Sequence, residues 1–139
     1  MGLDMYLKGE DFLPTYNNDE RPMRDGFPVE TYILHIKAWR KFAPLHCHIV
    51  NVYSDEGHDD CEPIRLTSED LRTIADVIRH GDLPPDEECQ GFFFGTSRMW
   101  AEDRKRAAED AAIFDTAADW LDRSDLDSSW RSVIYQASW

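Results

Sequence analysis

Two short stretches of the sequence carry the side-chain types that bind metal ions. The chain reads His-Cys-His at 46–48 and Asp-Asp-Cys at 59–61. Zinc takes imidazole nitrogens, thiolates and carboxylates that converge on one point. Adjacent residues of a helix point about 100° apart, so one ion does not reach all three residues of the first stretch. We therefore favour burial of that stretch in the core. The alternative is a metal-dependent hydrolase built on His46, Asp60 and Cys61.

A cysteine nucleophile is the second chemistry that the sequence offers. Cys61, with His46 or His58 as its base, would form a thiol and imidazole pair. Reactive thiols lie in electropositive surroundings, whereas carboxylates flank Cys61 on both sides. The chain also lacks the GxGxxG, GxxxxGK, HExxH and GxSxG motifs of nucleotide-binding proteins, proteases and hydrolases. We therefore assign no catalytic residue and expect a binding protein without a cofactor.

Tryptophans and cations offer a third chemistry, the binding of a ligand or a partner. Trp39, Arg40 and Lys41 are consecutive, and they would line a concave site together with Phe93 and Trp139. A guanidinium group forks onto a phosphate and stacks on a ring, so this set suits a small, anionic, nucleotide-like ligand. The same pattern describes a core with an arginine at its rim, which we favour. The residues assigned to ligand or partner binding are Trp39, Arg40, Lys41, Arg65, Trp100 and Trp139.

The charge of the chain restricts its partners. Its 139 residues include 28 acidic and 15 basic side chains, which gives a formal net charge of -13. This charge repels the phosphates of nucleic acids and of anionic membranes, so we expect no direct nucleic-acid binding and no membrane association. The negative charge serves one of two purposes: it keeps a small domain soluble, or it attracts a basic partner. A partner that normally binds nucleic acid would be attracted because the acidic surface imitates nucleic acid. Hydrophobic residues make up 42% of the chain, which predicts one globular domain over residues 1–139.

The N-terminus and the cysteines indicate where the protein resides. The first residues, MGLDMYLKGEDF, have no basic region followed by an apolar stretch. No segment approaches the roughly 18 apolar residues that a membrane span requires. The three cysteines Cys47, Cys61 and Cys89 are odd in number and lack CxxC spacing. We therefore expect free thiols in a reducing compartment, the cytosol.

Alternation and turn residues divide the first half of the chain. Residues 3–7 alternate between apolar and polar side chains, which predicts a strand. Residues 8–29 carry prolines, asparagines and charges, which predict a long surface loop. Residues 30–38 are rich in β-branched and aromatic side chains and are predicted to form the second strand. A short helix over about 39–52 should either start or kink at Pro44.

The second half of the chain is predicted to alternate between strands and helices. A short edge strand is expected at 62–66 and a capped helix at 67–81. The GFFFG segment at 91–95 is predicted to be a buried central strand, because its phenylalanines would cover both faces. An amphipathic helix at 98–123 and a last strand at 130–139 follow. The fold class is α+β, a small and mostly antiparallel sheet of about four to five strands with two to three helices packed on one face.

Four stretches of the chain carry a family resemblance. They are MGLDMYL at 1–7, WRKFAPLHCHIV at 39–50, DDCEPIRLTSEDL at 59–71, and LPPDEECQGFFFG followed by the terminal YQASW. They are similar, in the same order, to a family of small proteins found in bacterial and phage genomes. Ala38 replaces the tyrosine that usually precedes Trp-Arg-Lys in this family, and His48 replaces an aromatic residue. The resemblance implies a phage or prophage setting and assigns no catalytic residue.

These observations lead to three hypotheses about function. The first is a phage or prophage accessory protein that acts by non-catalytic binding, as an inhibitor or modulator of a bacterial protein, with host defence proteins among the targets. Trp100 in acidic surroundings would anchor such a partner. The second is a binder that sequesters a small nucleotide-like anion with Arg40, Lys41 and Arg65 on its phosphates. The third is the metal-dependent hydrolase.

Overall fold

The computed structural model describes most of the chain, in six segments. These are residues 2–13, 20–57, 61–85, 89, 104–123 and 130–139. The predicted strand at 91–95 lies outside the described residues, as do Asp60 and Trp100.

The described residues form an α+β structure, which confirms the predicted fold class. Four strands make one antiparallel sheet, and two short strands make a hairpin. The strands are β1 (Asp4–Phe12), β2 (Met23–Arg24), β3 (Phe27–Pro28), β4 (Thr31–Arg40), β5 (Ile64–Leu66) and β6 (Trp130–Ser138). The helices are α1 (Ala43–Tyr53), α2 (Ser68–His80) and α3 (Arg104–Asp122), with a 3₁₀ turn at Asp55–Gly57.

The main sheet has the order β4-β1-β6-β5, so the first and last described strands lie at its centre. Alternate residues of β1 and β6 are fully or almost fully buried, as the period of a strand requires. This set comprises Met5, Leu7, Val133, Tyr135 and Ala137, and Leu3 just before β1 joins it. The buried set packs in one cluster with apolar residues of all three helices, and these include Leu45, Ile74 and Phe114. The core therefore lies between one face of the sheet and the helices.

Strand β4 contains a bulge that shifts its register against β1. Leu7 pairs with Lys37 and Lys8 pairs with His35, so Ile36 is the extra residue. Near the bulge, a side chain at Gly9 would meet the Trp120 ring at 3.0 Å. Glycine therefore allows α3 to approach β1 closely at this point.

Helix α2 begins and ends where its sequence predicts. The Thr67 side chain accepts a hydrogen bond from the Asp70 amide at 3.1 Å, and the Asp70 carboxylate accepts one from the Thr67 amide at 2.9 Å. This reciprocal pair is a capping box. At the other end Gly81 has φ 72°, the left-handed conformation that closes many helices.

The first helix resolves the alternatives left open at Pro44. Pro44 lies in the first turn of α1, where its missing amide hydrogen has no helical partner to lose. The helix therefore starts at Ala43, next to this proline, and does not kink there. The predicted start at about residue 39 is wrong, because residues 39–40 belong to β4. The short strand β5 pairs only with β6 among the described strands, which confirms the predicted edge strand.

Two further sequence-based predictions are wrong. Residues 8–29 are not one loop, because β1 continues to Phe12 and a hairpin forms at 23–28. Two of the three cysteines are not free thiols, because Cys47 and Cys89 form a disulfide across 42 residues of sequence. Their Cα atoms lie 5.9 Å apart, a separation that a disulfide spans. Cys61 remains a free thiol.

Among the described residues, no helix is both long enough and apolar enough to cross a membrane.

Candidate functional site

His46, one of the residues proposed as metal ligands, lies in the core. His46 is 1% exposed, and its Nδ1 lies 2.6 Å from the Tyr135 hydroxyl in a buried hydrogen bond. The neighbouring cysteine is in the disulfide. Within the described segments no three His, Cys, Asp or Glu residues are placed to hold an ion. Burial of His46 and Cys47, the interpretation favoured from the sequence, is confirmed.

Trp39 lies in the core and does not line a surface. It is 3% exposed. Its ring stacks on Phe114 of α3 with centroids 5.6 Å apart and an interplanar angle of 15°. Its Nε1 donates a hydrogen bond of 3.1 Å to Asp110 Oδ1. This cluster joins β4 to α3, two elements far apart in sequence.

The predicted cations do not converge on one ligand. Arg40 and Lys41 lie at the end of β4, where the Arg40 guanidinium is 3.7 Å from the Asp4 carboxylate. In the sheet, Asp4 is flanked by Arg40 on one side and Ser138 on the other, which brings the half-exposed Trp139 to the same end. Arg65 lies on β5 at the opposite edge of the sheet. Three strand spacings of about 4.8 Å separate the two edges, so Arg40 and Arg65 do not grip one phosphate.

Arg65 lines a cleft of about 490 Å³ beside the edge strand β5. The end of α1 forms its other wall with Tyr53 and Asp55, and Glu62 lies next to the strand. Burial and the nearby Asp70 carboxylate raise the pKa of Tyr53. One cation and two acidic side chains give the cleft no excess of positive charge. The cleft therefore fits an anionic ligand poorly.

Three large apolar side chains are exposed at one end of the sheet. Met23, Phe27 and Trp130 are 60%, 73% and 68% exposed, respectively. We call this set the apolar end. Trp130 starts β6 opposite Phe12, and their rings lie 5.6 Å apart. The β2–β3 hairpin continues from the same end, because the amide just beyond Phe12 donates to the Glu30 carbonyl at 2.9 Å.

Polar groups beside the apolar end are incompletely paired. Asp11 and Arg131 are partners across β1 and β6. The buried atoms Asp11 Oδ1 and Arg131 Nε and Nη2 have no hydrogen-bond partner in the part of the chain that the structure describes. Buried polar atoms are usually paired, so Asp11 and Arg131 are exceptions to this rule.

Sequence reasoning missed the apolar end, although one signal for it was present. The dipeptide Asp25-Gly26 is a strong hairpin signal. Both residues have positive φ, 50° and 86°, as the tight hairpin turn requires. The turn brings Arg24 opposite Phe27. Reading this dipeptide as a hairpin would have placed Met23 and Phe27 on the two adjacent strands of a short surface extension, with Met23 opposite Pro28.

The buried Asp110 makes the stability of the fold depend on pH. Burial raises the pKa of Asp110 above its ordinary value of 3.8, and Glu109 adds to this effect. The Trp39 hydrogen bond, Lys37 of β4 and Arg106 of α3 oppose it. A raised native pKa means that the native state holds this proton more tightly than the unfolded chain. The stability that Asp110 contributes is therefore present at acidic pH and lost as pH rises through the native pKa.

Asp110→Asn should remove this pH dependence. The amide keeps an acceptor for Trp39 without a buried charge, so the stability of the variant relative to wild type should increase as the pH rises from the acidic to the neutral range. Urea denaturation at several pH values measures this difference. Glu20→Gln removes one charge from an exposed position and serves as the matched control. A difference that stays constant with pH for Asp110→Asn would contradict the assignment.

Comparison with known proteins finds no matching family model, no matching curated protein and no matching solved structure.

Proposed function

We propose that this protein acts by non-catalytic binding of a protein partner at the apolar end of its sheet. The observation that carries the proposal is the exposure of Met23, Phe27 and Trp130 at one end of the sheet. Single exposed apolar residues are normal on protein surfaces, but three large ones on one strand end and on the hairpin that continues from it suit an interaction site. Methionine and aromatic residues are also enriched at interfaces.

The charge around the apolar end supports a partner with a basic rim. Glu10 and Asp11 lie on β1, Asp25 lies in the hairpin turn and Glu30 lies just before β4. These four acidic residues outnumber the basic residues of the same region, which are Arg21, Arg24 and Arg131. Acidic side chains around an apolar centre steer a basic partner and fix its orientation. Desolvated aromatic anchors then supply most of the binding free energy. Trp100, the anchor expected from the sequence, lies outside the described residues, and Trp130 takes that role in the proposal.

The resemblance to bacterial and phage proteins suggests the setting. In this proposal the protein is a phage or prophage accessory protein in the cytoplasm of a bacterial host. Its partner is a bacterial protein, with defence proteins among the targets, and it acts as a stoichiometric inhibitor or modulator. The net charge of -13 argues against nucleic acid as the direct partner.

The two alternative functions have less support. Sequestration of a nucleotide-like anion needs converging cations, whereas Arg40 and Arg65 lie on opposite edge strands. The hydrolase needs three converging ligands, and His46 is engaged with Tyr135 in the core.

Affinity purification with matched variants tests the proposal. Phe27→Asp should remove a specific bacterial partner that wild type retains, because it places a charge where a desolvated anchor is needed. Val52→Asp makes a similar change at a residue of α1 that is 57% exposed, and it should retain the partner. The dissociation constant for the purified partner should rise at least about tenfold for Phe27→Asp.

Two outcomes would contradict the proposal. One is that wild type retains no specific partner at low or physiological salt. The other is that Phe27→Asp and Val52→Asp weaken binding equally. Far-UV circular dichroism of both variants establishes that they are folded.

A further inference from the structure

None of the described strands pairs with the outer edge of β4, which we call the free edge. Strand β4 is the outermost strand of the main sheet, and among the described strands it pairs only with β1. The Leu13 amide donates to the Glu30 carbonyl at 2.9 Å, so these two residues form a hydrogen-bonded pair. This pair shows which residues of β4 direct their backbone groups toward β1 and which direct them away. In an antiparallel ladder every second residue turns its backbone groups away from the neighbouring strand. Thr31, Ile33 and His35 therefore direct their amide and carbonyl groups to the free edge.

The free edge is apolar over its first half. Tyr32, Ile33 and Leu34 are 42%, 65% and 42% exposed. Natural edge strands usually carry a lysine, a proline or a bulge that prevents pairing with another strand. On β4 these features are confined to the second half, where the bulge at Ile36 and then Lys37 follow. Residues 31–35 are thus open to another strand.

The charges along β4 favour a second copy of the same strand. Glu30 precedes the free edge, whereas Lys37 and Arg40 follow it. Antiparallel pairing of two copies puts the acidic end of each strand beside the basic end of the other. Parallel pairing would instead put Glu30 beside Glu30. The edge is therefore complementary to itself about a two-fold axis.

The alternating direction of the backbone groups restricts which residues of the two β4 strands can face each other. Residues that direct their hydrogen-bonding groups outward must face outward-directed residues of the other copy. With the two-fold axis at Ile33, Ile33 faces Ile33, Thr31 faces His35, and Tyr32 faces Leu34. The bulge at Ile36 then brings the Lys37 side of one copy close to Glu30 of the other.

We propose that two copies of this protein associate through their β4 strands, antiparallel about a two-fold axis at Ile33. The two four-stranded sheets become one continuous sheet across the dimer. The interface uses residues 30–37 of each copy. The association is independent of the proposed partner binding, and neither requires the other.

Sedimentation velocity over a series of protein concentrations tests the association. Wild type should show a concentration-dependent dimer at physiological ionic strength. Ile33→Pro should raise the dimer dissociation constant at least about tenfold, because it removes an outward amide hydrogen while the ladder to β1 is kept. Ile33→Lys should have the same effect by bringing two like charges together at the axis. Val52→Lys, on the exposed side of α1, should dimerise as wild type does.

Cross-linking tests the register. In a Cys61→Ser background, Ile33→Cys should form a disulfide-linked dimer on mild oxidation, because facing residues of hydrogen-bonded strands lie about 5.5 Å apart. Val52→Cys in the same background should not. A wild type that stays monomeric at every concentration overturns the proposal, whether or not it binds a strand of another protein. A dimer that persists in Ile33→Pro, or that Ile33→Cys does not cross-link, overturns it as well.

Discussion

Replacing Cys47 and Cys89 together by alanine is expected to lower the free energy of unfolding by about 2–4 kcal/mol. The disulfide closes 42 residues of sequence, so it removes many conformations from the unfolded chain. Cys47 is 0% exposed and Cys89 is 2% exposed, so the bond lies within the packed structure. Guanidinium denaturation of wild type and of the double variant measures the difference.

Reducing agent provides the control for this prediction. Reduction should destabilise wild type by a similar amount and leave the double variant unchanged, because the variant has no bond to break. Thiol titration of denatured, unreduced wild type should find only Cys61, and all three cysteines should react after reduction. Three reactive thiols before reduction, or equal stabilities with and without reductant, would contradict the pairing of Cys47 with Cys89.

The disulfide also bears on the location of the protein. Structural disulfides persist mainly in oxidising compartments. The expectation of a reducing compartment relied on an odd number of cysteines and on the absence of CxxC spacing. Neither feature indicates whether two cysteines that are distant in sequence, such as Cys47 and Cys89, become neighbours in the folded chain. Trapping the thiols with an alkylating agent at lysis would show which form exists in the cell, and the reduced form is the one that the proposed cytoplasmic location requires.

Elements with local signals were predictable from the sequence. The cap at Thr67 and the stop at Gly81 define α2, because both motifs depend on residues within one turn of the helix end. Alternation identified β1 and β6, since one face of each strand packs against the core. The sequence also indicated that Pro44 affects the first helix, but it did not decide between a helix start and a kink at this residue.

Features that depend on distant residues were not predictable. The hydrogen bond from Trp39 to Asp110 joins residues 71 apart in sequence. Nothing near Asp110 marks it as the one carboxylate of its helix that faces the core, because α3 carries charges along its whole length. The apolar end likewise combines a hairpin near residue 25 with a strand that starts at residue 130. Periodicity within a single segment does not show which segments meet.

Replacing Trp39 by alanine should lower the free energy of unfolding by about 3–5 kcal/mol, the usual cost of removing a large buried aromatic side chain. The variant loses the stacking on Phe114 and also leaves Asp110 without its indole donor. Trp39→Phe keeps most of the buried ring and loses only the donor, so we expect a smaller loss of about 1–3 kcal/mol. Urea denaturation followed by far-UV circular dichroism compares the variants without relying on tryptophan fluorescence.

The origin of the smaller loss can be tested with a second substitution. In the Trp39→Phe background the buried carboxyl group of Asp110 has no indole donor. Asp110→Asn should therefore recover more stability in that background than it does in wild type, because it removes a buried carboxyl group that has lost its hydrogen bond. If Trp39→Phe were as stable as wild type, the hydrogen bond would contribute nothing. If Trp39→Ala lost less than about 1 kcal/mol, Trp39 would not lie in the core between β4 and α3.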